Sequence, residues 1–374
     1  MTIFLPEIIL LMKKIGILGG GQLGRMFIQN ALNYPVEIHI LDPNPEAPCS
    51  KIAHRFVVGD FNNELDVLNF AENVDIVGIE IEHVNLSALK KLKKLGKTVI
   101  PDPEVLEIIQ DKGIQKDFYL NHDIATAPLK DKNDLPNVQK LKKGGYDGKG
   151  VQLLSAENFE NCWGEDSIFE EQADILMELA VLVAQNQSGE TAVYPVVEQV
   201  FNPEYNLLDY LISPARIDEE TAQQAKDLAL KVVKKLNSPG IFAIELFLNH
   251  DGSLWVNETA PRVHNSGHAT IEGNFCSQFD MMLRTLLNFP LGNPESKLKS
   301  AMFNLIGASG YTGKAKIQGL EKILNLPGHS LHWYGKKMTK PGRKMGHSTV
   351  VAQDWDGVIQ QIETIKKEVK IISE

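Results

Sequence analysis

The chain has 374 residues, of which 43% are hydrophobic and 23% are charged, an ordinary composition for a globular protein that can bury two or three cores. The formal net charge of −10 at pH 7 argues against a general nucleic-acid surface, which would be basic, although local basic sites could still bind small anions. Cys49, Cys162 and Cys276 lie far apart and form no CxxC pair, which predicts a reducing, cytoplasmic setting without disulfides or structural zinc.

The chain begins with an apolar run, MTIFLPEIILLM. This run is too short to span a bilayer and no basic segment precedes it, so we predict neither a membrane anchor nor a signal peptide. We expect Met12 to be the natural start and residues 1–11 to be a translated extension. An intact mass that includes Met1 or Thr2, measured on protein made from its native gene, would contradict this expectation.

A glycine-rich segment follows the first predicted strand, residues 14–18. Gly19, Gly21 and Gly24 fit GxGxxG, and the next helix is amphipathic. Asp42 ends the following strand, about twenty residues on, as in the dinucleotide-binding fingerprint. Taken alone, this segment favours an NAD-dependent oxidoreductase, which stays open as an alternative class of enzyme.

Strands and helices continue to alternate as far as residue 100. Strands are predicted at 55–58, 74–79 and 97–100, with helices at 64–73 and around the leucines of 86–95, and Asp102-Pro103 offers the start of another helix. This alternation predicts a parallel sheet with helices on both faces and ligands at the carboxyl ends of its strands. Glu80 lies at such an end, where it is either a ligand contact or a solvated acid.

A change of pattern begins near Lys112, and residues 134–178 predict short strands and turns. The run KLKKGGYDGKGVQLL, from Lys140, places four glycines among four lysines. Glycine lets backbone N–H groups approach phosphate, and lysine supplies charge. The spacing is not that of a Walker A motif. It indicates either a phosphate-binding loop or a basic hairpin tip.

Two later segments predict amphipathic helices that pack against a core. Residues 219–236 place Leu228, Val232 and Leu236 at helical spacing, and residues 277–289 behave likewise. We assign no functional role to either segment.

The segment IFAIELFLNHDGSLWVNETAPRVHNSGH, residues 241–268, predicts a β-hairpin. A two-residue type I′ turn at residues 251–252 would pair His250 with Ser253 and place Glu245 opposite Glu258. Two opposed carboxylates repel unless a cation such as Mg²⁺ lies between them or one is protonated. If the register slipped, Glu258 would face water instead.

Two basic segments follow the hairpin. The first, APRVHNSGH, places Arg262, His264 and Asn265 directly after the candidate metal ligand, in a loop of the kind that often carries function. The second, HWYGKKMTKPGRKMGH at 332–347, gathers five Lys and Arg side chains around a Pro-Gly turn. Arginine and lysine both bind phosphate, so this segment is either a phosphate site or a solvated basic turn.

Four of these segments together resemble the N5-carboxyaminoimidazole ribonucleotide synthetases, ATP-grasp enzymes of purine biosynthesis. They are GGGQLGRM (19–26), GGYDGKGV (144–151), NETAPRVHNSGH (257–268) and the basic segment 332–347, and they occur in the family's order. The resemblance implies an α/β ATP-grasp fold, α+β overall. It has a Rossmann-like parallel-sheet domain at 1–111, a small lid domain at 112–172 and a catalytic domain at 173–374.

The resemblance also implies a ligase that joins bicarbonate to 5-aminoimidazole ribonucleotide at the expense of ATP, through carboxyphosphate. It implies Mg²⁺, with Mn²⁺ as an alternative ion, neither biotin nor NAD, a homodimer, and neither nucleic-acid nor membrane partners. Two related activities stay open: a formate-using glycinamide ribonucleotide transformylase, against which RVHNSGH argues, and a nucleotide-binding regulator.

The family's site residues map onto four groups of positions in this chain. Catalytic roles fall on Arg262, His264, Asn265 and Asp147. Metal ligands fall on Glu245, Glu258 and Asn257. ATP contacts fall on Lys112, Lys140, Gly145, Tyr146, Asp147, Gly148, Lys149, Gly150, Val151, Glu170, Glu171, Gln172, Ala173, Glu178, Asn257 and Glu258. Ribonucleotide contacts fall on Gln22, Leu23, Glu80, Tyr146, Lys149, Lys336, Arg343 and Lys344. One departure is Phe201, where many relatives carry a histidine near the nucleotide.

Overall fold

The computed structural model describes residues 12–145, 150–202 and 207–374, so the proposed extension at residues 1–11 lies outside the described residues. The described residues fold as two compact units, one that ends at Pro103 and one that spans Glu104–Glu374. The domain boundaries predicted after residues 111 and 172 stay a prediction.

The first unit is the predicted alternation of strands and helices. Its elements are β1 (Lys13–Leu18), α1 (Gln22–Ala31), β2 (Val36–Asp42), β3 (Arg55–Val58), α2 (Glu64–Ala71), β4 (Ile76–Ile79), α3 (Leu86–Lys94) and β5 (Thr98–Val99). The strands pair in parallel in the order β3-β2-β1-β4-β5. Asn63 and Asn85 cap α2 and α3 by accepting hydrogen bonds from backbone N–H groups. The predicted parallel sheet is confirmed.

The second unit is mostly antiparallel. Its first half contains α4 (Pro103–Ile109), α5 (Lys112–Asn121), β6 (Asn137–Leu141), β7 (Val151–Leu154), β8 (Ser167–Glu170), β9 (Ile175–Gln185), β10 (Thr191–Val193), β11 (Val197–Asn202), β12 (Leu207–Ser213), α6 (Glu219–Leu236), β13 (Gly240–Asn249) and β14 (Leu254–Ala260). Its second half contains α7 (Thr270–Gly273), α8 (Gln278–Leu287), β15 (Lys299–Ile306), β16 (Gly313–Gln318), α9 (Leu320–Ile323), β17 (His329–Trp333), β18 (Met338–Thr339), β19 (Lys344–Ala352), α10 (Trp355–Glu368) and β20 (Lys370–Ser373).

Three sheets organise this unit. The largest runs β14-β13-β9-β11-β12-β15-β19-β17, with β10 paired to β9. A second sheet, β7-β6-β8, covers the region predicted as a lid, and β18-β16-β20 forms the third. The largest sheet therefore carries both the glutamate hairpin, β13–β14, and the strands that border the C-terminal basic segment.

Helix α6 packs as its periodicity predicts. Asp218 caps its first turn by accepting a hydrogen bond from the N–H of Thr221 at 2.8 Å. Val232 and Leu236 are buried in the core that includes β9 and β13, and Leu228 packs against that core from a partly buried position. None of the described helices is both long and apolar enough to cross a membrane.

Candidate active site

The hairpin β13–β14 places two glutamates opposite each other. Glu245 pairs with Glu258 in the antiparallel register, as predicted. The predicted two-residue turn is wrong, because the N–H of Asn249 donates to the carbonyl of Ser253 at 2.9 Å and leaves a three-residue loop, 250–252. Gly252 has a φ of +83°, which suits the left-handed last position of such a loop.

A β-bulge at Asn257 compensates for the longer loop. Near the turn, Leu246 pairs with Val256 instead of the predicted Asn257, and the extra residue restores the pairing at Glu258. The side chains of Asn257 and Glu258 both contact lysines, since Lys140 Nζ donates to Asn257 Oδ1 at 2.9 Å and Lys112 forms an ion pair with Glu258. The bulge thus lets two consecutive side chains serve one polar cluster, which a regular strand would not allow.

The two opposed glutamates have different electrostatic environments. Burial raises the pKa of Glu245, and the negative charge of Glu258 raises it further. The ammonium of Lys112 holds the pKa of Glu258 well below its usual range, with a smaller contribution from Lys140. Burial lowers the pKa of Lys112, but the surrounding glutamates outweigh that effect, so Lys112 stays charged.

The oxygen donors of this cluster fit a magnesium ion that is also held by substrate. Glu245, Glu258 and Asn257 offer two carboxylates and an amide oxygen on neighbouring residues, the ligand chemistry that Mg²⁺ prefers. Across the part of the chain that the structure describes, no group of three or more His, Cys, Asp and Glu side chains could hold a metal. Mg²⁺ here would therefore depend on phosphate oxygens for the rest of its coordination.

A buried charge cluster lies beside the hairpin, and one of its members escaped the sequence analysis. Glu170, at the end of β8, is 3% exposed and forms ion pairs with Lys116 at 2.5 Å and Lys140 at 2.7 Å. Lys116 Nζ also donates to Thr126 Oγ1 at 2.8 Å. The two lysines outweigh the effect of burial and lower the pKa of Glu170. The signal for Lys116 in the sequence was its place on the buried face of α5, three residues before Tyr119.

Four consecutive residues predicted to contact ATP, from Glu170 to Ala173, join two sheets. Glu170 ends β8 of the small sheet, and Glu171, Gln172 and Ala173 lead without regular structure into β9 of the large sheet. Glu171 is anchored through its N–H, which donates to the carbonyl of Pro128 at 2.8 Å. Such a connection suits a hinge between two sheets.

Glu178 lies on β9, in register with Phe247 of β13 and Gln199 of β11. Burial raises its pKa to about 7. The negative charge of Glu178 in turn contributes to the raised pKa of Glu245. This predicted ATP contact therefore lies close enough to the hairpin for its charge to affect Glu245.

The position that departs from the family pattern is part of an apolar cluster. Phe201 packs against buried residues that include Leu208, Leu211 and Met302. The ladder between β11 and β12 is irregular between Val200 and Phe201. Phe201 therefore contributes packing at this position, where a histidine would supply polar atoms.

The glycine-rich loop is described only at its two ends. Gly145 lies before it and Gly150 closes it, with a left-handed φ of +78° and a carbonyl that accepts a hydrogen bond from the N–H of Leu141 at 2.9 Å. Val151 begins β7. The predicted contacts of the remaining loop residues lie outside the described residues; these are Tyr146, Asp147, Gly148 and Lys149.

The loop after β14 brings His264 towards the hairpin. His264 Nε2 lies 3.8 Å from Glu245 Oε1. Arg262 is half-buried, and its Nη1 donates to the carbonyl of Val263 at 2.9 Å. Both polar atoms of the Asn265 side-chain amide are buried without a hydrogen-bond partner among the described residues. A buried amide in that state is suited to a polar ligand.

The C-terminal basic segment is a turn in which three predicted ribonucleotide contacts, Lys336, Arg343 and Lys344, lie close in the chain. The N–H of Arg343 donates to the carbonyl of Lys340 at 3.0 Å, which closes the turn around Pro341-Gly342. Lys336 Nζ donates to the carbonyl of Lys344 at 2.8 Å, and Arg343 Nη1 donates to the carbonyl of Met338 at 2.9 Å. Backbone contacts thus hold Lys336 and Arg343 on this turn.

The glycine-rich loop of the first unit is occupied by the protein's own carboxylates. Glu80 Oε1 accepts hydrogen bonds from the N–H groups of Leu23 at 3.0 Å and Gly24 at 3.4 Å, at the start of α1. Asp42 Oδ2 accepts one from Gly20 at 2.7 Å. A Cβ on Gly21 would lie 2.5 Å from Glu80 Oε1. The glycines therefore make room for Glu80 at the place where a dinucleotide-binding loop would hold pyrophosphate, which disfavours the oxidoreductase.

Three family profiles together match most of the chain. They are the ribonucleotide synthetase preATP-grasp domain at residues 12–110, the ATP-grasp domain at 115–279 and the phosphoribosylaminoimidazole carboxylase C-terminal domain at 300–361. The chain also spans 63–66% of the length of longer plant and yeast relatives named phosphoribosylaminoimidazole carboxylase.

One relative of similar length and two solved structures are close to the whole chain. The Bacillus subtilis N5-carboxyaminoimidazole ribonucleotide synthase is 35% identical over 93% of this chain and 94% of its own. The crystal structure of N5-carboxyaminoimidazole ribonucleotide synthetase from Thermotoga maritima is 41% identical, with a TM-score of 0.90, and covers 97% of this chain and 100% of that one.

The second structure is N5-carboxyaminoimidazole synthase from Aspergillus clavatus, solved in complex with ADP and 5-aminoimidazole ribonucleotide. It is 32% identical, with a TM-score of 0.86, and covers 95% of this chain and 98% of its own. The fold predicted from the sequence is confirmed. The chain therefore belongs to the N5-carboxyaminoimidazole ribonucleotide synthase family of ATP-grasp enzymes.

Proposed function

We propose that this protein is a ligase that uses ATP to carboxylate 5-aminoimidazole ribonucleotide with bicarbonate, giving N5-carboxyaminoimidazole ribonucleotide, ADP and phosphate in purine biosynthesis. The observation that carries the proposal is the pairing of Glu245 with Glu258 beside His264, whose Nε2 lies 3.8 Å from Glu245. Family membership supports it, as does a relative solved with ADP and 5-aminoimidazole ribonucleotide.

The first step is phosphoryl transfer. An oxygen of bicarbonate attacks the γ-phosphorus of ATP, the bond to the β,γ-bridging oxygen breaks, and ADP leaves carboxyphosphate behind. Arg262, His264 and Asn265 hold bicarbonate, while Lys112 and Lys140 neutralise phosphate charge. Such a transfer depends mainly on positioning and charge neutralisation. Mg²⁺ held by Glu245, Glu258 and Asn257 would neutralise further charge on the phosphate oxygens.

The second step forms the carbon–nitrogen bond. The exocyclic amine of the ribonucleotide attacks the carbon of carboxyphosphate, or of CO₂ released from it; phosphate departs and the nitrogen loses a proton. We assign Asp147 a catalytic role here, with Tyr146 and Lys149 beside the aminoimidazole. Closure of the glycine-rich loop at residues 144–151 would keep water away from carboxyphosphate.

The remaining ligand contacts follow the family's assignments. The segment from Glu170 to Ala173 reads the adenine edge, Glu178 holds the ribose, and residues 145–151 cover the phosphates. Gln22, Leu23, Glu80 and Lys344 contact the ribonucleotide, and its 5′-phosphate is bound by Lys336 and Arg343.

The proposal extends to ion, assembly and location. Mg²⁺ is the working ion, with Mn²⁺ as a substitute, and the reaction uses neither biotin nor NAD. The enzyme is a cytoplasmic homodimer divided into domains at 1–111, 112–172 and 173–374. The reduced cysteines agree with a cytoplasmic location, since all three are free thiols.

The test is ADP release by the purified protein with Mg-ATP, bicarbonate and 5-aminoimidazole ribonucleotide, each omitted in turn. We expect ADP formation to require both bicarbonate and the ribonucleotide. ADP formation only with formate and glycinamide ribonucleotide would contradict the proposal and identify a transformylase. The absence of ADP in every combination would also contradict it.

A further inference from the structure

We propose that Gln278 is a positioning residue for the carboxylation reaction, acting through His264; this inference rests on the proposed function. Gln278 is the first residue of α8 and is fully buried. From the sequence, its helix is predicted only to pack against a core. The hydrogen bonds of its side chain instead connect it to His264 in the loop after β14.

The Gln278 amide holds both backbone groups of His264. The N–H of His264 donates to Gln278 Oε1 at 2.9 Å, and Gln278 Nε2 donates to the carbonyl of His264 at 2.9 Å. A single side chain thereby fixes the peptide groups on either side of the histidine. The Gln278 side chain also packs tightly against Gly267, where a Cβ would lie only 2.3 Å from Gln278 Oε1.

The neighbouring serine fixes which nitrogen of His264 carries the proton. The backbone N–H of Ser266 donates to His264 Nδ1 at 3.3 Å, and Ser266 Oγ lies 2.9 Å from the same nitrogen. Because a backbone N–H can only donate, Nδ1 must present its lone pair. In the neutral ring the proton therefore lies on Nε2, the nitrogen 3.8 Å from Glu245 Oε1. Gln278 thus fixes the backbone that carries a hydrogen-bond donor towards the proposed bicarbonate site.

The NH₂ group of the Gln278 amide also contacts a column of histidines. Gln278 Nε2 lies 3.0 Å from His268 Nδ1, the ring of His268 is 4.7 Å from that of His347, and His347 stacks on His332 at 4.4 Å. Glu272 Oε1 lies 2.8 Å from His332 Nε2 and anchors the far end. Burial holds the pKa values of His268 and His347 well below the usual range, so both rings are neutral and His268 Nδ1 can accept.

The arrangement leaves one orientation for the Gln278 amide. Its NH₂ group faces two acceptors, the His264 carbonyl and His268 Nδ1, while its oxygen faces a donor. Gln278→Glu keeps an acceptor for the His264 N–H but sets a carboxylate against the carbonyl. Gln278→Leu removes both hydrogen bonds to His264 and replaces the side chain with one of similar volume. Thr285→Val is the matched control, because Thr285 is buried on the same helix and its hydroxyl donates within that helix, to the carbonyl of Met282 at 2.8 Å.

The kinetic test varies bicarbonate, ATP and the ribonucleotide separately for all three variants and the wild type, and compares ADP released with carboxylated product. We expect Gln278→Leu to raise the KM for bicarbonate and to lower kcat/KM for bicarbonate by about 10- to 100-fold, because small displacements of a positioned group are costly. Less carboxylated product should also form per ADP released. The KM for ATP should stay within about twofold. Gln278→Glu should fall between Gln278→Leu and the wild type, and it decides the matter if the leucine variant does not fold.

Two kinetic outcomes would overturn the inference. One is a Gln278→Leu enzyme with the wild-type KM for bicarbonate and unchanged product per ADP. The other is an equal loss in Thr285→Val, or an equal rise in the KM values for ATP and bicarbonate, since either would indicate a general packing defect.

A second readout needs no activity. With ¹⁵N-labelled histidine, the His264 ring, assigned through His264→Asn, should show the Nε2–H tautomer in the wild type and a shifted or exchange-broadened signal in Gln278→Leu. An unchanged His264 signal would overturn the inference. A wild-type protein without bicarbonate-dependent ADP release would count against the proposed function, while the spectrum would still test the link from Gln278 to His264.

Discussion

At the scale of single residues, the ion pair between Lys116 and Glu170 allows the effect of a buried charge on stability to be measured. Lys116 is 3% exposed and contacts Glu170 at 2.5 Å. Lys116→Met should lower the free energy of unfolding by about 1 to 3 kcal/mol, because Glu170 keeps only its ion pair with Lys140 and two further acceptors lose the charged donor. Denaturant unfolding measures the change.

The double variant Lys116→Met/Glu170→Gln provides the control for that prediction. It should lose less than the sum of the two single effects, because each single variant already removes the contact between Lys116 and Glu170. A single variant within about 0.5 kcal/mol of the wild type, or a double variant that loses the sum of both single effects, would contradict a mutually dependent pair.

A second residue, Glu178, predicts a pH dependence. Its pKa is raised from 4.5 to about 7 by burial, so the folded state binds more protons than the unfolded state between these values. Its ionisation therefore costs stability, and this cost grows as the pH rises through that window and is complete above pH 7. Glu178→Gln should consequently be stabilised relative to the wild type at pH 8 compared with pH 5, by at most about 3 kcal/mol.

Nucleotide binding gives an independent check on the same carboxyl. If Glu178 holds ribose hydroxyls, its charged form accepts the stronger hydrogen bonds, and ADP affinity should rise between pH 6 and pH 8. Calorimetric titration of the wild type and Glu178→Gln at both pH values tests this. An equal pH dependence in the two proteins would contradict the assignment.

At the scale of elements, the glycines before α1 make room for the Glu80 side chain, whereas their GxGxxG pattern indicates a site for a dinucleotide. Gly21→Ala should destabilise the first unit, because the new Cβ would lie 2.5 Å from Glu80 Oε1. Adding Glu80→Ala should relieve that clash and restore part of the stability. Gly164→Ala is the control, since no neighbouring atom lies within 4 Å of its Cβ position. Thermal unfolding that shows no relief in the double variant would refute this explanation.

The hairpin shows how far sequence reasoning reaches for such elements. The opposed glutamates were predicted correctly, but from a turn one residue too short, and the bulge at Asn257 cancels that error. A left-handed glycine suits both turn types, so the sequence alone could not separate them. The bulge follows from tertiary contacts: the N–H of Val256 donates to Ala125 at 2.8 Å, and Thr126 Oγ1 donates to the Val256 carbonyl at 2.8 Å.

The missed residues have a related explanation. The βα alternation and helix α6 were predictable because their periodicity is local. Lys116 and Gln278 were not, because a buried lysine and a buried glutamine read as ordinary helix residues until their partners are known. Those partners, Glu170 and His264, lie on other elements of the fold. Polar groups that act through distant partners leave no periodic signal.

At the scale of the whole molecule, the proposed function divides the ligand contacts between separate stretches of the chain. Glu258, beside Lys112 and Asn257, serves phosphoryl transfer, while Arg343 on the C-terminal turn serves the ribonucleotide phosphate. If the division holds, one substitution should remove ATP chemistry without touching ribonucleotide binding, and another should do the reverse.

Glu258→Gln should lower ADP formation by about 100-fold or more, because a charge that meets the phosphate-bound cation is lost. Ribonucleotide affinity, measured by calorimetry, should be unchanged.

Arg343→Ala should raise the KM for the ribonucleotide about 10-fold or more, through loss of a charge-assisted phosphate contact, and leave the KM for ATP almost unaltered. Glu363→Gln, an exposed acid on α10, controls for the loss of a negative charge elsewhere. Equal effects of Arg343→Ala on both KM values would refute its phosphate role, and normal Mg-ATP turnover in Glu258→Gln would refute the metal assignment. The two results together would show whether the hairpin and the C-terminal turn act on different substrates of one reaction.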